Sequence, residues 1–221
     1  MKKNKPLRQM VMIVMLAALT IIVGLIEIPW FAIPPFGPFL KLDFSDVIIL
    51  ISIILVGFKG TIPIIILKTV IRRLIFGMAP HELLGEFNAM VASLTIVFAV
   101  WLAKLLLAKV SKNGLTENSK LKTKEWIYTI FLVMTLQTIV MFTINFFFTT
   151  PTFASLFFSD ALFFDPFTMM EQSDIFPSWQ AYINFSLIAY IPFNLIKGLL
   201  VSIIYLIIKP RITEFAHQYQ D

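Results

Sequence analysis

The stretch AYIPFNLIKGLLVSIIYLIIKP, residues 189–210, is long and apolar enough to cross a membrane as a helix, yet it contains Asn194 and Lys197. Their spacing of three places both side chains on one face of a helix. A lysine near the centre of a membrane helix costs about 2.5–3.5 kcal/mol on insertion scales. Such a residue typically faces a protein interior or cavity. The stretch therefore predicts a membrane bundle with polar groups inside it.

The composition of the whole chain agrees with this prediction. Of its 221 residues, 58% are hydrophobic and 14% are charged, and the mean hydropathy is +0.87. Apolar runs of about 20 residues recur, which is typical of a polytopic helical membrane protein. The first run is too long for a cleaved signal peptide and lacks a small-residue cleavage site. A sequence without cysteine excludes disulfides and thiolate metal sites.

Hydropathy predicts an all-α membrane protein in which residues 1–221 form a single six-helix domain. The predicted spans are residues 8–28, 45–58, 61–78, 85–108, 125–149 and 181–208. The second span is short, and the third is interrupted by Lys68, Arg72 and Arg73. Both departures indicate helices that face a protein interior or cavity more than lipid.

The distribution of charge orients the spans. Lysine and arginine concentrate in the N-terminal MKKNKPLR, in the loop KVSKNGLTENSKLKTK (residues 109–124) and in the tail after residue 208. An even number of spans places all three on one side, which the positive-inside rule assigns to the cytoplasm. The net charge of +5 then needs no nucleic-acid partner. Residues 149–179 contain four acidic residues and no lysine or arginine, so we expect this segment outside the cell.

The outer segment, residues 150–180, is also rich in phenylalanine and contains tryptophan. Two interpretations stay open. It is either an aromatic segment that rests on the lipid headgroups or a lid over an outward-facing site.

A second polar stripe lies in the fifth span. Thr138, Met141 and Asn145 follow the 3/4 spacing of one helix face. Asparagine offers both donors and acceptors, which suits a neutral polar ligand. Buried asparagine also bridges helices, and Lys197 could simply pair with a buried acid. For Asn145, Asn194 and Lys197 together we favour a binding cavity.

Other polar and small residues have structural interpretations. Four acids near the outer ends of the second to fourth spans are candidate partners for Lys68, Arg72 and Arg73: Asp43, Asp46, Glu82 and Glu86. In the first span Ala17, Thr20 and Gly24 form a small-residue stripe that predicts close helix packing. Spacing leaves open whether the packed helix belongs to this chain or to a separate subunit.

Motifs restrict the function further. The only histidines are His81 and His217, and HExxH, GxSxG and paired-aspartate protease patterns do not occur, so we expect no enzyme activity. The sequence also contains no P-loop. Two hypotheses remain: a membrane-embedded solute-binding subunit that depends on a partner ATPase, and a self-sufficient secondary transporter. Six spans without an evident inverted repeat disfavour the second.

Three blocks of sequence resemble a known family. PFLKLDFSDV (residues 38–47), TIVMFTIN (138–145) and YIPFNLIKGLLVS (190–202) are together similar to the riboflavin-specific S component of energy-coupling-factor (ECF) vitamin transporters. The resemblance implies a six-helix, multi-pass protein of the bacterial cell membrane that binds riboflavin as its substrate and needs no cofactor. It also implies a transmembrane coupling subunit and two cytoplasmic ATPase subunits as partners, contacted through the first helix.

The resemblance also assigns residues. The family's flavin-contacting amides and lysine fall on Asn145, Asn194 and Lys197. The extended segment after the first span supplies four residues to the rim of the pocket: Leu40, Lys41, Leu42 and Asp43. The first span lacks the family's Ala-xxx-Ala pair, so subunit docking would use the small-residue stripe Ala17, Thr20 and Gly24.

Two further departures affect the expected substrate and its access. The outer segment looks longer than is usual in the family, which leaves the geometry of a lid open. Arg72 and Arg73 stand where apolar residues are expected. If either faces the cavity, an anionic vitamin such as pantothenate becomes the alternative substrate, because guanidinium matches carboxylate geometry.

Overall fold

The protein is almost entirely helical. The computed structural model describes residues 5–30, 40–111, 119–159 and 161–220. In chain order the elements are α1 (Lys5–Val23), β1 (Glu27–Pro29), β2 (Lys41–Asp43), α2 (Ser45–Leu55), α3 (Gly57–Phe76), α4 (Pro80–Ser111), α5 (Ser119–Ile144), a π-helical turn (Asn145–Thr149), α6 (Thr150–Phe158), α7 (Pro166–Gln172) and α8 (Trp179–Gln220). The two short strands form an antiparallel hairpin between α1 and α2.

Helices occupy all six predicted span positions. Four segments in the described ranges are long and apolar enough to cross a membrane: Pro6–Val23, Pro80–Leu107, Ile127–Phe158 and Trp179–Glu214. Helix α2 is apolar but has only 11 residues. Helix α3 has 20 residues and contains four lysines and arginines. By length and composition these two helices do not qualify as spans, so the count of six and the side of the termini stay predictions.

Helices α2 and α3, which are unusually short and unusually charged respectively, both pack against other helices of the bundle. Ile49 and Leu50 of α2 are fully buried, as is Ile65 of α3. The two helices meet at Gly57, whose φ of 74° lies in the left-handed region that favours glycine. Each helix therefore turns one side into the bundle, whereas α3 also has an exposed apolar face that includes Ile62, Ile66 and Val70.

The main core lies where α2, α4, α5 and α8 meet. Its buried members are Val47, Ile49, Leu50, Ile51, Ile53, Ile65, Ile96, Val97, Ala99, Val100, Val133, Val201, Tyr205 and Leu206. Helices α5 and α8 approach closely at Gly198, where a Cβ atom would lie 3.0 Å from Met134 Cα. This close approach of the two helices lies one residue after Lys197 in the sequence.

The segment predicted as an outer loop is largely helix. Helix α5 does not end at residue 149 but continues through the π-helical turn into α6, and α7 follows. Phe163, Met169 and Phe176 are buried with Tyr182 and Tyr190 of α8 in a second apolar cluster. The segment therefore packs onto the outer part of the bundle. Asp160, one of its four acids, lies outside the described residues.

The small-residue stripe of α1 packs inside this chain. Ala17 and Thr20 are 2% and 0% exposed, and Gly24 is buried. Ala17 packs with Ile64 of α3. A Cβ atom at Gly24 would lie 2.9 Å from Arg72 Nη1, so a larger residue there would require the arginine side chain to shift. The stripe is thus not on the surface of the chain, because its neighbours are α3 residues.

The exposed face of α1 is a different one. It is formed by Leu7, Met10, Val11, Val14, Met15, Leu19 and Ile22. Docking of a partner subunit through α1 stays a prediction, and it would have to use this face in place of Ala17, Thr20 and Gly24.

Candidate functional site

A cavity of about 290 Å³ lies between the hairpin and helices α3, α4, α5 and α8. Its volume is near the lower end of small-molecule sites, about 300–1,000 Å³. Of the residues predicted to bind substrate or an anion, eight line it: Leu40, Lys41, Asp43, Arg72, Arg73, Asn145, Asn194 and Lys197. The structure therefore brings together residues that are up to 157 positions apart in the sequence, from Leu40 to Lys197.

Leu42 is the predicted rim residue that does not line the cavity. It lies in β2 opposite Ile28 and is 9% exposed. Successive residues of a strand point to opposite faces. Lys41 and Asp43 therefore face the cavity, and Leu42 points away from it. Its assignment to the rim stays a prediction, which the lining of this cavity does not support.

Asn145, at the start of the π-helical turn, and Asn194 of α8 both line the cavity. Asn145 is 2% exposed; its Nδ2 donates to Met141 O at 2.7 Å and its Oδ1 accepts from Asn88 Nδ2 at 3.0 Å. Asn194 is 1% exposed, and its Nδ2 donates to Tyr190 O at 2.8 Å. An asparagine amide has two N–H donors and two oxygen lone pairs. Each amide therefore keeps donor and acceptor capacity after its contacts within the protein.

Lys197 forms a buried ion pair. Its Nζ lies 2.9 Å from Asp46 Oδ2, and Ser93 Oγ donates to Asp46 Oδ1 at 2.5 Å. Lys197 is 7% exposed and Asp46 is 1% exposed. The partner of the membrane lysine is thus an acid at the start of α2. Asp46 was considered a partner for the cations of α3, but it pairs with α8 instead.

Arg72 joins the hairpin to two helices. Its guanidinium lies 2.5 Å from Glu27 Oε1 and 3.6 Å from Asp43 Oδ2, and it donates to Gly24 O at 2.8 Å. Arg72 Nε also lies 2.9 Å from Glu86 Oε1, as an ion pair without the geometry of a hydrogen bond. This one side chain connects the end of α1, both strands and α4.

Lys68 and Arg73 of α3 have carboxylate partners too. Arg73 lies 2.9 Å from Glu82 and 3.2 Å from Glu86. Lys68 Nζ lies 3.0 Å from Asp43 Oδ2 and also contacts Ser45 Oγ. The predicted pairing of Lys68, Arg72 and Arg73 with acids from the set Asp43, Glu82 and Glu86 is therefore confirmed.

The acids of the hairpin are held in their charged form. Burial raises the pKa of Glu27, but hydrogen bonds from Lys41 and Arg72 outweigh it, and the pKa is lowered overall. Burial likewise raises the pKa of Asp43, and the positive charges of Lys68 and Lys197 outweigh it and hold the pKa well below its usual range. Both carboxylates therefore stay ionised near neutral pH.

The charges that line the cavity are equal in number and opposite in sign. Four are cations, Lys41, Arg72, Arg73 and Lys197. Four are anions, Glu27, Asp43, Glu82 and Glu86. Lys68 and Asp46 add one charge of each sign behind this layer. With His81 counted as neutral, the formal charge of this described lining is zero, so the arrangement favours a neutral ligand.

Sequence reasoning missed several polar residues of the lining, among them Glu27, Asn88 and Gln137. Glu27 follows α1 and was hidden by its apolar neighbours, and Asn88 of α4 supports Asn145. Gln137 lies eight residues before Asn145 and is 0% exposed. Its amide lies within an apolar span, four residues before Met141, and could have been identified from the sequence as a candidate site residue. The stripe that faces the cavity is Gln137, Met141 and Asn145, whereas Thr138 does not line it and donates to Met134 O.

Comparison with known proteins places this cavity in a family. The family model for the substrate-specific component of ECF transporters matches residues 8–209. The chain belongs to this family. The matched range contains every residue that lines the cavity. As a member of this family, the chain is a substrate-specific component of a transporter.

Two relatives agree with this assignment. The riboflavin transporter RibU of Staphylococcus aureus (strain TCH60) is 25% identical over 215 residues, which cover 97% of this chain and 94% of the relative. A solved structure described as the S component of a bacterial ECF transporter matches with a TM-score of 0.61 and 21% identity, over 94% of this chain and 96% of that one. The fold is therefore that of an ECF S component.

Proposed function

We propose that this S component binds riboflavin in the cavity between α3, α4, α5 and α8, and captures it from outside the cell for ATP-driven uptake. The observation that carries the proposal is the cavity lining itself. It combines amide groups with spare donors and acceptors and charged groups that cancel. The 25% identity to a protein named riboflavin transporter RibU supports the choice of ligand.

Riboflavin suits such a lining chemically. It is neutral, its ring edge alternates hydrogen-bond donors and acceptors, and its ribityl chain carries hydroxyl groups. Asn145 and Asn194 can each donate to and accept from such a ligand. Lys197 Nζ has three N–H groups and forms an ion pair with Asp46, so it can also donate to a ligand. Phe193 and Met141 supply apolar surface for the ring.

The alternative, an anionic vitamin such as pantothenate, is disfavoured by the arginines. Arg72 and Arg73 both line the cavity, which was the condition for this alternative. However, each already lies within 3.2 Å of a glutamate, and they share Glu86. A carboxylate ligand would have to compete with these carboxylates for the same guanidinium donors. We therefore propose that the two arginines organise the site and do not bind an anion.

A fluorescence titration tests the choice of substrate. Riboflavin emission is followed as purified protein in detergent is added, with pantothenate as competitor. We expect saturable binding that pantothenate does not displace. Asn194→Ala should weaken binding about 10- to 100-fold, as expected for the loss of one or two hydrogen bonds. Asn184→Ala is the matched control, because Asn184 is exposed on the same helix and bonds to Gln180.

The opposite result has a clear form. If the protein leaves riboflavin emission unchanged but binds pantothenate, the chain is an S component for an anionic vitamin and the riboflavin proposal is wrong.

We also propose that uptake depends on partner subunits: a transmembrane coupling subunit and two cytoplasmic ATPases. The sequence contains no P-loop, and the family is that of ECF transporter components. Co-expression with such a module should give a complex that accumulates riboflavin in liposomes only when ATP is present. Accumulation by this chain alone under an ion gradient would instead indicate a secondary transporter.

A further inference from the structure

Gln137 is a buried amide without a hydrogen-bond partner in the described part of the chain. Its side chain is 0% exposed, and neither Nε2 nor Oε1 is bonded. Buried polar groups are nearly always satisfied, and each exception needs an explanation. Gln137 is one of the residues that line the cavity, so a ligand in that cavity is the partner available to its unbonded amide.

The position of Gln137 is the inner end of that cavity. It lies two helical turns further in along α5 than Asn145, on the same face. Three residues before it, Met134 packs directly against Gly198 of α8. Among the described residues, none of α5 before Gln137 and none of α8 after Lys197 lines the cavity. Gln137 and Lys197, each just before the contact along the path inward, therefore form the floor of the cavity.

We propose that Gln137 is a specificity-determining residue that forms two hydrogen bonds with the innermost edge of the substrate. This inference rests on the proposed binding of riboflavin in the same cavity. A primary amide presents an N–H donor beside a carbonyl acceptor. Its complement is a ligand edge with an acceptor beside a donor, as in an imide or lactam. In riboflavin that edge is the pyrimidine side of the ring, where N3–H lies between two carbonyls.

A structural role for Gln137 makes the opposite prediction about stability. If the amide held helices together, replacing it would destabilise the ligand-free protein. Since it has no partner among the described residues, an apolar replacement of similar size removes only an unsatisfied group. Gln137→Met and Gln137→Leu should therefore unfold at the same temperature as the wild type, or higher, when no ligand is bound.

The experiment combines protein and ligand changes. Wild type, Gln137→Met, Gln137→Leu and the exposed control Gln180→Leu are titrated with riboflavin and with 3-methylriboflavin, in which the N3–H donor is blocked. Ligand-free unfolding temperatures are measured in parallel. The wild type and the control should prefer riboflavin by about 10- to 100-fold, as expected when hydrogen bonds at a buried edge are lost. Both Gln137 variants should bind riboflavin more weakly by a similar factor and bind the two ligands equally.

Four outcomes overturn the inference, and one of them also concerns the proposed function. If the Gln137 variants bind riboflavin as the wild type does, the amide does not contact the ligand, and riboflavin binding itself stands. If the variants lose affinity but keep the preference for riboflavin over its methyl analogue, or if their ligand-free unfolding temperature falls, Gln137 acts on structure. A wild type that binds no riboflavin overturns the proposed function together with this inference.

Discussion

Replacement of Lys197 by methionine should be one of the most destabilising single changes in this protein. Lys197 Nζ lies 2.9 Å from Asp46 Oδ2, and both residues are less than a tenth exposed. Without the lysine, Asp46 becomes a buried carboxylate whose remaining partner in the described structure is Ser93 Oγ. Methionine keeps most of the side-chain volume, so the change removes mainly the charge.

The magnitude follows from the geometry of the pair. Coulomb's law with an effective dielectric constant of about 20 gives roughly 6 kcal/mol for unit charges at this separation. Part of that attraction is offset by the cost of removing both charges from water, and loss of one partner of a buried pair typically costs about 3–5 kcal/mol. For a chain of this size that corresponds to a fall in Tm of roughly 6–20 °C.

A double-mutant cycle measures the pair. Thermal unfolding in detergent is compared for wild type, Lys197→Met, Asp46→Asn and the double variant, with the exposed Lys59→Met as the control. Each single variant should be strongly destabilised, and the double variant should recover most of the loss because no buried charge is left alone. We expect the control to differ from wild type by no more than about 0.5 kcal/mol.

Riboflavin affinity in the same variants separates two roles of the lysine. If Lys197 also donates to the ligand, the double variant regains stability but not affinity, and this is the result we expect. Recovery of both would mean that Lys197 only holds Asp46. If Lys197→Met unfolded within about 1 kcal/mol of wild type, the reasoning from a buried ion pair would be refuted altogether.

Three further predictions concern packing, pH and orientation. Gly198→Ala should lower stability by about 1–3 kcal/mol because the new Cβ atom would meet the Met134 backbone. Gly85→Ala should raise stability slightly because there is open space around this glycine. Chemical or thermal unfolding of both variants checks these opposite signs. The pKa values of Glu27 and Asp43 are lowered in the folded protein, so their contribution to stability is complete above their unfolded pKa values and is lost as pH falls below about 4. Tm should thus be level near neutral pH and decline below that point, and a rise in Tm on acidification would contradict the ion pairs seen here. In this cysteine-free chain, a cysteine in the acidic outer segment should react with an impermeant maleimide on intact cells, and one in the basic C-terminal tail should not; labelling of the tail would reverse the predicted orientation.

Much of the helical framework could be predicted from local sequence. Runs of apolar residues and the charges between them located helices at all six predicted span positions. The same hydropathy could not predict that residues 150–158 extend α5, because Pro151 and the acids that follow read as a loop. Helix α6 persists because Ala154 packs into the second apolar cluster, which depends on contacts with α8.

The site was predictable in its residue types and less so in its pairings. Asn194 and Lys197 were identified because polar groups are rare in membrane spans, and both line the cavity. Which acid pairs with Lys197 depends on how α2 and α8 pack, and spacing along one helix carries no information about that. Glu27 and Gln137 were missed for different reasons. Glu27 acquires its partners only when the hairpin forms, which local sequence does not show. Gln137 could have been identified as a single amide within an apolar span, but it was overlooked.

The π-helical turn at residues 145–149 determines how many side chains of one continuous helix can face the same cavity. Five residues at intervals of four face that cavity from α5 and its continuation: Gln137, Met141, Asn145, Thr149 and Phe153. In a regular α-helix each step of four overshoots a full turn by about 40°, so the row would rotate by roughly 160° from first to last. The wider turn, with its extra residue, counteracts that rotation. Deleting one residue within 145–149 would leave hydropathy unchanged but swing all later side chains by about 100°. In this family member, the rotation of the side chains about the helix axis is therefore as important for the binding surface as the identity of its amides.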